Sequence, residues 1–170
     1  MRPFCAIQSA GAGEKGMRTL LNVLLAFSIL AFFGVSASAQ SGDPVKLEIR
    51  PGIWFEVIEL KRLAAKGIVS LTFAVDNKSG EQTSLADLGM SGNDQRITDL
   101  KLIDFASSKD YWIGSSGGDC LCSTFTDGAP IGPGERQQFW VWFGAPAAGV
   151  TKLAVWVPGV QPMFDVPLAK

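Results

Sequence analysis

At 170 residues the chain is about one domain long, and its formal net charge of −1 provides no electrostatic footprint for nucleic acid. It contains no histidine, which excludes Ser-His-Asp and Cys-His nucleophiles, histidine general bases and histidine metal ligands. Basic residues are scattered rather than clustered, so the patch that draws a protein to an anionic membrane surface is also missing.

The first predicted element is an export signal. Leu20 to Val35 is apolar except for Asn22 and Ser28, Arg18 precedes it, and Ala37-Ser38-Ala39 forms an A-x-A cleavage pattern before Gln40. The order of charge, apolar run and small-residue exit predicts a signal peptide over residues 1–39, with Met17 a candidate true start. Cleavage at Ala39/Gln40 would release the remainder into the periplasm or the medium with no stable membrane anchor. The alternative, an uncleaved anchor, has an apolar run slightly short for spanning. No cysteine follows the run and no twin arginine precedes it, which disfavours a lipoprotein and the folded-protein export route.

Residues 40–45 form a polar lead-in, and residues 46–170 the folded domain. Val45, Leu47 and Ile49 alternate with charged residues until Pro51-Gly52. Over Trp54–Arg62, strict alternation puts Phe55, Val57 and Glu59 on one face and Trp54, Glu56, Ile58 and Leu60 on the other. Ala64 to Gly67 turns the chain, and Val69, Leu71, Phe73 and Val75 make a half-buried strand that ends in the turn cluster Asp76 to Gly80. Ser84 to Leu88 suits a single helical turn. Further strands are predicted over Ile97–Phe105, Tyr111–Ile113, Arg136–Phe143, Lys152–Val157 and Met163–Val166, with loops at Ser115–Asp119 and Pro130–Glu135. About eight short strands at roughly ten-residue spacing, with no βαβ rhythm, predict an all-β antiparallel sandwich or barrel.

A resemblance sharpens this. The strand ending Val75-Asp76-Asn77-Lys78-Ser79, the Leu85/Leu88 stretch, Asp119-Cys120-Leu121-Cys122-Ser123, Pro133-Gly134-Glu135 and the closing Phe164-Asp165-Val166-Pro167 resemble a group of exported bacterial immunoglobulin-like domains. Some of those precede a peptidoglycan-binding OmpA-type domain. The likeness spans roughly residues 45–170 and implies an immunoglobulin-like sandwich of seven to eight strands, an envelope role and no catalytic residues. The chain ends at Lys170, so peptidoglycan anchoring by such a domain is not implied.

Three feature sets compete for a function. Cys120 and Cys122 lie beyond the signal, and an oxidising compartment favours a disulfide between them. Closing so small a loop adds little chain-entropy stabilisation. The sharper alternatives are a thiol-redox couple, or a Cu(I) site with Met90 or Met163 as thioether donor. The tryptophans come second. Trp140 and Trp142 share one face of a strand whose other face carries Phe139, Val141 and Phe143. Either both faces are covered, or the tryptophans form an aromatic platform for a glycan or protein of the cell envelope, extended by Trp156 and with Trp112 as a further member. Third are the carboxylates Asp104, Asp110, Asp119 and Asp127, which fit solvated loops better than the paired acids of a glycosidase. Asp76 to Glu81 is a poor calcium loop because Lys78 replaces an oxygen ligand. Asn77-Lys78-Ser79 matches a glycosylation sequon. The expectation is a non-enzymatic interaction module without a cofactor.

Overall fold

The computed structural model describes residues 45–91 and 95–170, so the export signal and its cleavage site lie outside the described residues. The described chain is all-β: an immunoglobulin-like sandwich of two four-stranded antiparallel sheets. The strands are β1 (Val45–Arg50), β2 (Ile53–Leu63), β3 (Ile68–Asn77), β4 (Thr83–Ser84), β5 (Lys101–Asp104), β6 (Lys109–Trp112), β7 (Ser115–Ser116), β8 (Asp119–Cys120), β9 (Pro130–Ile131), β10 (Arg136–Gly144), β11 (Lys152–Trp156) and β12 (Met163–Pro167). The first sheet runs β1-β2-β3-β10 and the second β12-β11-β5-β6, while β4 pairs with β9 and β7 with β8 as short ribbons. No helix among the described residues is long and apolar enough to cross a membrane.

Alternation decides which side chains fill the space between the sheets. Val69, Leu71, Phe73 and Val75 on β3 and Phe139, Val141 and Phe143 on β10 are buried, and Leu102, Leu153, Val155 and Val166 meet them from the second sheet. Phe73 lies at the centre, stacked on Phe55 at 4.7 Å between ring centroids and tilted against Phe139 at 5.5 Å.

One strand departs from strict alternation. The β2–β3 register shifts between Val57 and Glu59, leaving Ile58 as an extra residue. Such a bulge reverses the facing of everything after it. Leu60 therefore joins Phe55 and Val57 in the core at 2% exposure, while Ile58 and Glu59 are both exposed. Alternation alone put Leu60 on the opposite face from Phe55. The outer edge of β2 also changes partner here. Residues Ile53–Val57 pair with β1, and beyond the bulge the C-terminal segment runs parallel to β2, with Arg62 N–H donating to the Ala169 carbonyl and Ala169 N–H to that of Leu60.

The predicted strand over Ile97–Phe105 is shorter, because regular pairing begins only at Lys101, whereas Ser91, Arg96 and Ile97 make isolated bridges. Ser115–Asp119, predicted as a loop, folds into the β7–β8 ribbon around Gly117-Gly118. The expected turns do form: a 3-10 turn at Ala64–Lys66 ends on Gly67 in the left-handed region, and residues 85–89 make a second turn. Gly52 is required by contact as well as by its φ of +75°, since a β-carbon there would sit 2.9 Å from the Ser79 nitrogen.

The turn cluster after β3 is more than a turn. Asn77 is fully buried, and its Nδ2 donates to the carbonyls of Glu81 (2.8 Å) and Ile131 (2.9 Å). Its Oδ1 accepts from the Ser79 amide and hydroxyl at 3.0 and 2.7 Å. The sequon asparagine thus has its amide nitrogen committed inside the fold. Asp76 pairs with Lys78 at 3.2 Å, and among the described residues no group of three or more acidic, cysteine or histidine side chains is placed to hold a metal ion.

Two carboxylates are held by the fold. Burial raises the pKa of Glu56, but hydrogen bonds and charge from Lys46 (3.1 Å) and Arg136 (3.2 Å) outweigh it and leave it below the ordinary 4.5. Asp104 is lowered from 3.8 chiefly by the Ser107 hydroxyl at 2.6 Å, against a smaller opposing effect of burial, with the Ser107 and Ala106 amides and Lys109 helping. Both groups bind protons more readily in the unfolded chain, so their contribution is complete above their ordinary values and is lost as pH falls through the lower folded values. Without a histidine to titrate, urea midpoints should be flat from about pH 6 to 8. They should fall below about pH 4, and Glu56→Gln should flatten part of that acid slope. An unchanged slope in the variant would contradict the assignment.

Candidate functional site

The cysteine segment lies along a sheet edge. Cys120 and Cys122 are joined in a disulfide with α-carbons 5.4 Å apart. Between and after them the backbone pairs with β10: Trp142 N–H donates to the Leu121 carbonyl and Ser123 N–H to that of Trp140, both at 2.8 Å. The Ser123 hydroxyl accepts from Trp140 N–H at 2.8 Å. Gly114 links the same strip to the second sheet, donating to the Trp142 carbonyl and accepting from Leu121 N–H. This covers the edge of β10 that would otherwise be open to pairing with another chain. Cys122 is in the core, and Cys120 is half-buried.

Met90 is fully buried, and Met163 lies on β12, the strand of the second sheet farthest from β6 and the cysteine strip. With the two cysteine sulfurs bonded to each other, the Cu(I) reading requires the reduced pair.

The tryptophans do not form one platform. β10 belongs to the first sheet and β11 to the second, where β11 pairs with β5 and β12. Trp156 therefore cannot extend the Trp140–Trp142 surface, and the four indoles divide into two pairs. Trp140 and Trp142 pack together on the outer side of the first sheet at 5.3 Å between centroids and 46° between planes. The Lys66 ammonium lies 4.8 Å from the Trp142 ring, which is half-buried.

The second pair forms one row across three strands. Lys101 on β5 is in register with Trp112 on β6 and Trp156 on β11. Its ammonium lies 5.3 Å from the Trp112 ring centre and 5.1 Å from that of Trp156, and 2.7 Å from the Asp110 carboxylate. Cation–π attraction and the ion pair hold the lysine between the two rings. In the next row Ile103 is flanked by Asp110 and Ala154.

At the far end of this face are two residues that the periodicity did not single out as a site. Phe105 follows β5, and Phe164 lies at a shift in the β11–β12 register, where Asp165 adopts a φ of +56°. The bulge leaves both Phe164 and Asp165 exposed, and Phe164 stacks on Phe105 at 5.3 Å. Lys152 and Asp165 pair beside them at 2.5 Å. Phe105, Trp112 and Phe164 are 57%, 58% and 56% exposed, the three most exposed large apolar side chains of the described residues. All three belong to the outer face of the second sheet.

A cleft of about 260 Å³ opens beside Trp112, lined also by Arg96, Thr98, Ser115, Gly118 and Cys120. Arg96 closes the β7–β8 ribbon, donating to the Gly118 carbonyl at 2.9 Å and to the Asp119 carboxylate at 2.8 Å. The four carboxylates are engaged separately: Asp104 caps a turn, Asp110 and Asp119 sit in ion pairs, and Asp127 occupies a turn with positive φ.

No family model matches the chain, and no curated protein matches it. Among solved structures, the chain is similar to MPT63, a secreted protein from Mycobacterium tuberculosis. The likeness is 16% in sequence identity, with a TM-score of 0.43, covering 74% of this chain and 92% of that one.

Proposed function

We propose that this chain is an exported, non-catalytic binding module that presents the outer face of its second sheet to a component of the cell envelope. The observation that carries the reading is the gathering of Phe105, Trp112 and Phe164, each more than half exposed, on one face. Exposed aromatics gathered on one face mark interaction surfaces, whereas single exposed apolar residues need no explanation. Export rests on the signal pattern ending at Ala39, and release follows from cleavage before Gln40. The absence of histidine and the use of the acids in ion pairs and turns support a role without chemistry.

The test has two parts. The intact mass of protein recovered outside the cytoplasm should begin at Gln40, and a mass retaining Leu20 to Val35 would overturn release. The released protein should co-sediment with isolated envelope fractions. Trp112→Ala combined with Phe105→Ala should weaken that association about tenfold or more, since exposed aromatic anchors carry much of such binding. Undiminished sedimentation by a variant that still unfolds cooperatively would remove this face from the reading.

A further inference from the structure

Resting on that reading, we propose that the outer face of the second sheet binds a neutral polysaccharide, with sugar rings stacked on Trp112 and Trp156 and hydroxyls bonded to the charged side chains between the aromatics.

The arrangement of charge and apolar surface selects this partner. A protein–protein interface has an apolar core depleted of charge and a polar rim. Here the order is reversed. Lys101, paired with Asp110, occupies the middle of the row, and the large aromatic rings lie around it: Trp112 and Trp156 on either side, Phe105 and Phe164 at the far end. Lys101 keeps 20% of its side chain exposed and Asp110 39%, and covering them with a protein core or with lipid would strip the pair of its remaining water. A sugar has apolar C–H faces that stack on indoles, and it carries hydroxyl groups that both donate and accept, so it replaces the water around such a pair rather than stripping it.

Charge balance weighs against a polyanion. Lys101 is matched by Asp110, Lys152 by Asp165 and Arg96 by Asp119, and the cleft adds Asp99, so the face offers no positive surplus.

The dimensions suit a chain of sugars. From Lys101 to Phe105 the face runs four residues along the strand, about 13 Å at the usual rise. Past Trp112, the cleft lined by Thr98 and Ser115 offers hydroxyl groups next to the ring, suited to a terminal sugar or a branch. Lys101 fixes the orientation of both indoles before a ligand arrives, which reduces the ordering cost of binding.

The experiment is intrinsic-fluorescence titration and affinity electrophoresis with soluble neutral polysaccharides (a β-glucan, a xylan and a dextran), and with polygalacturonate as the charged control. One neutral polymer should bind, with little change on raising the salt several-fold. Trp112→Ala and Trp156→Ala should each weaken it about tenfold. Trp140→Ala, on the other sheet, should leave it unchanged. Phe105→Ala, at a surface position outside the Lys101 row, serves as a second variant should the tryptophan variants fail to fold. Loss of envelope sedimentation in the variants with no neutral polymer bound would overturn the sugar assignment and keep the binding face, pointing to a protein. A dimer that Trp112→Ala dissociates would overturn it in favour of a second copy. Polysaccharide binding that depends on Trp140 instead would move the site to the first sheet and overturn the proposal. If neither sedimentation nor polysaccharide binding responds to these variants, this proposal and the binding face both fall.

Discussion

Asn77→Ala is expected to destabilise the domain by about 3–5 kcal/mol, because the buried Ile131 carbonyl loses its donor and the Ser79 amide its acceptor, and each unpaired buried polar group costs about 1–3 kcal/mol, while the Glu81 carbonyl keeps the Ser79 hydroxyl. Asn77 sits at the end of β3 with no solvent exposure. Its amide ties Glu81 to Ile131 across the entry to β9, while its carbonyl oxygen fixes Ser79. Its backbone continues the same junction, with Asn77 N–H donating to the Glu135 carbonyl and Gly134 N–H to that of Asn77. The melting temperature should drop by about 10–20 °C. Asn77→Asp tests the mechanism, since it keeps the acceptor and loses the donor. Aimed at two carbonyl oxygens, the aspartate should cost at least as much at neutral pH and recover partly in mild acid as it gains a proton. A loss below about 1 kcal/mol for alanine would mean that water takes over the bonds.

What the sequence revealed follows from where the information is local. The β3 and β10 pattern, the turn residues around Gly52 and Gly67 and the all-β class all come from neighbouring residues, and each matches the structure. Pairing partners are long-range, and periodicity carries no record of them. That is why Trp156 and Trp140 look like members of one surface until β11 is seen beside β5. The bulge at Ile58 did leave a local trace: in Glu56-Val57-Ile58-Glu59-Leu60 two apolar residues stand side by side and the alternation changes phase, and reading it as strict alternation set Leu60 on the side of Glu56. Asn77 read as a turn residue because asparagine favours turns, and its burial depends on Ile131, which lies 54 residues away. Phe105 ends one predicted strand and Phe164 lies inside another, where an apolar residue is easily taken for core. What exposes Phe164 is the irregular pairing at Asp165, a tertiary feature.

The aromatic residues separate into those that hold the fold and those that do not, and substitution should divide them sharply. Phe73→Ala is expected to cost about 3–5 kcal/mol, the loss of a buried phenylalanine plus the cavity it leaves. Its ring has no exposure and contacts both Phe55 and Phe139, so no neighbour can close the gap without breaking another stack. Phe105→Ala, by contrast, removes a ring that is 57% exposed and touches chiefly Phe164, so the loss should stay within about 1 kcal/mol. Urea denaturation of the two variants against the parent measures both numbers under one condition. A wide gap between them means that Phe105 stays at the surface without contributing to folding, as a member of a binding face requires. Equal and large losses would instead place Phe105 and Phe164 among the packing of the sandwich, and the outer face of the second sheet would lose its claim to be a binding surface.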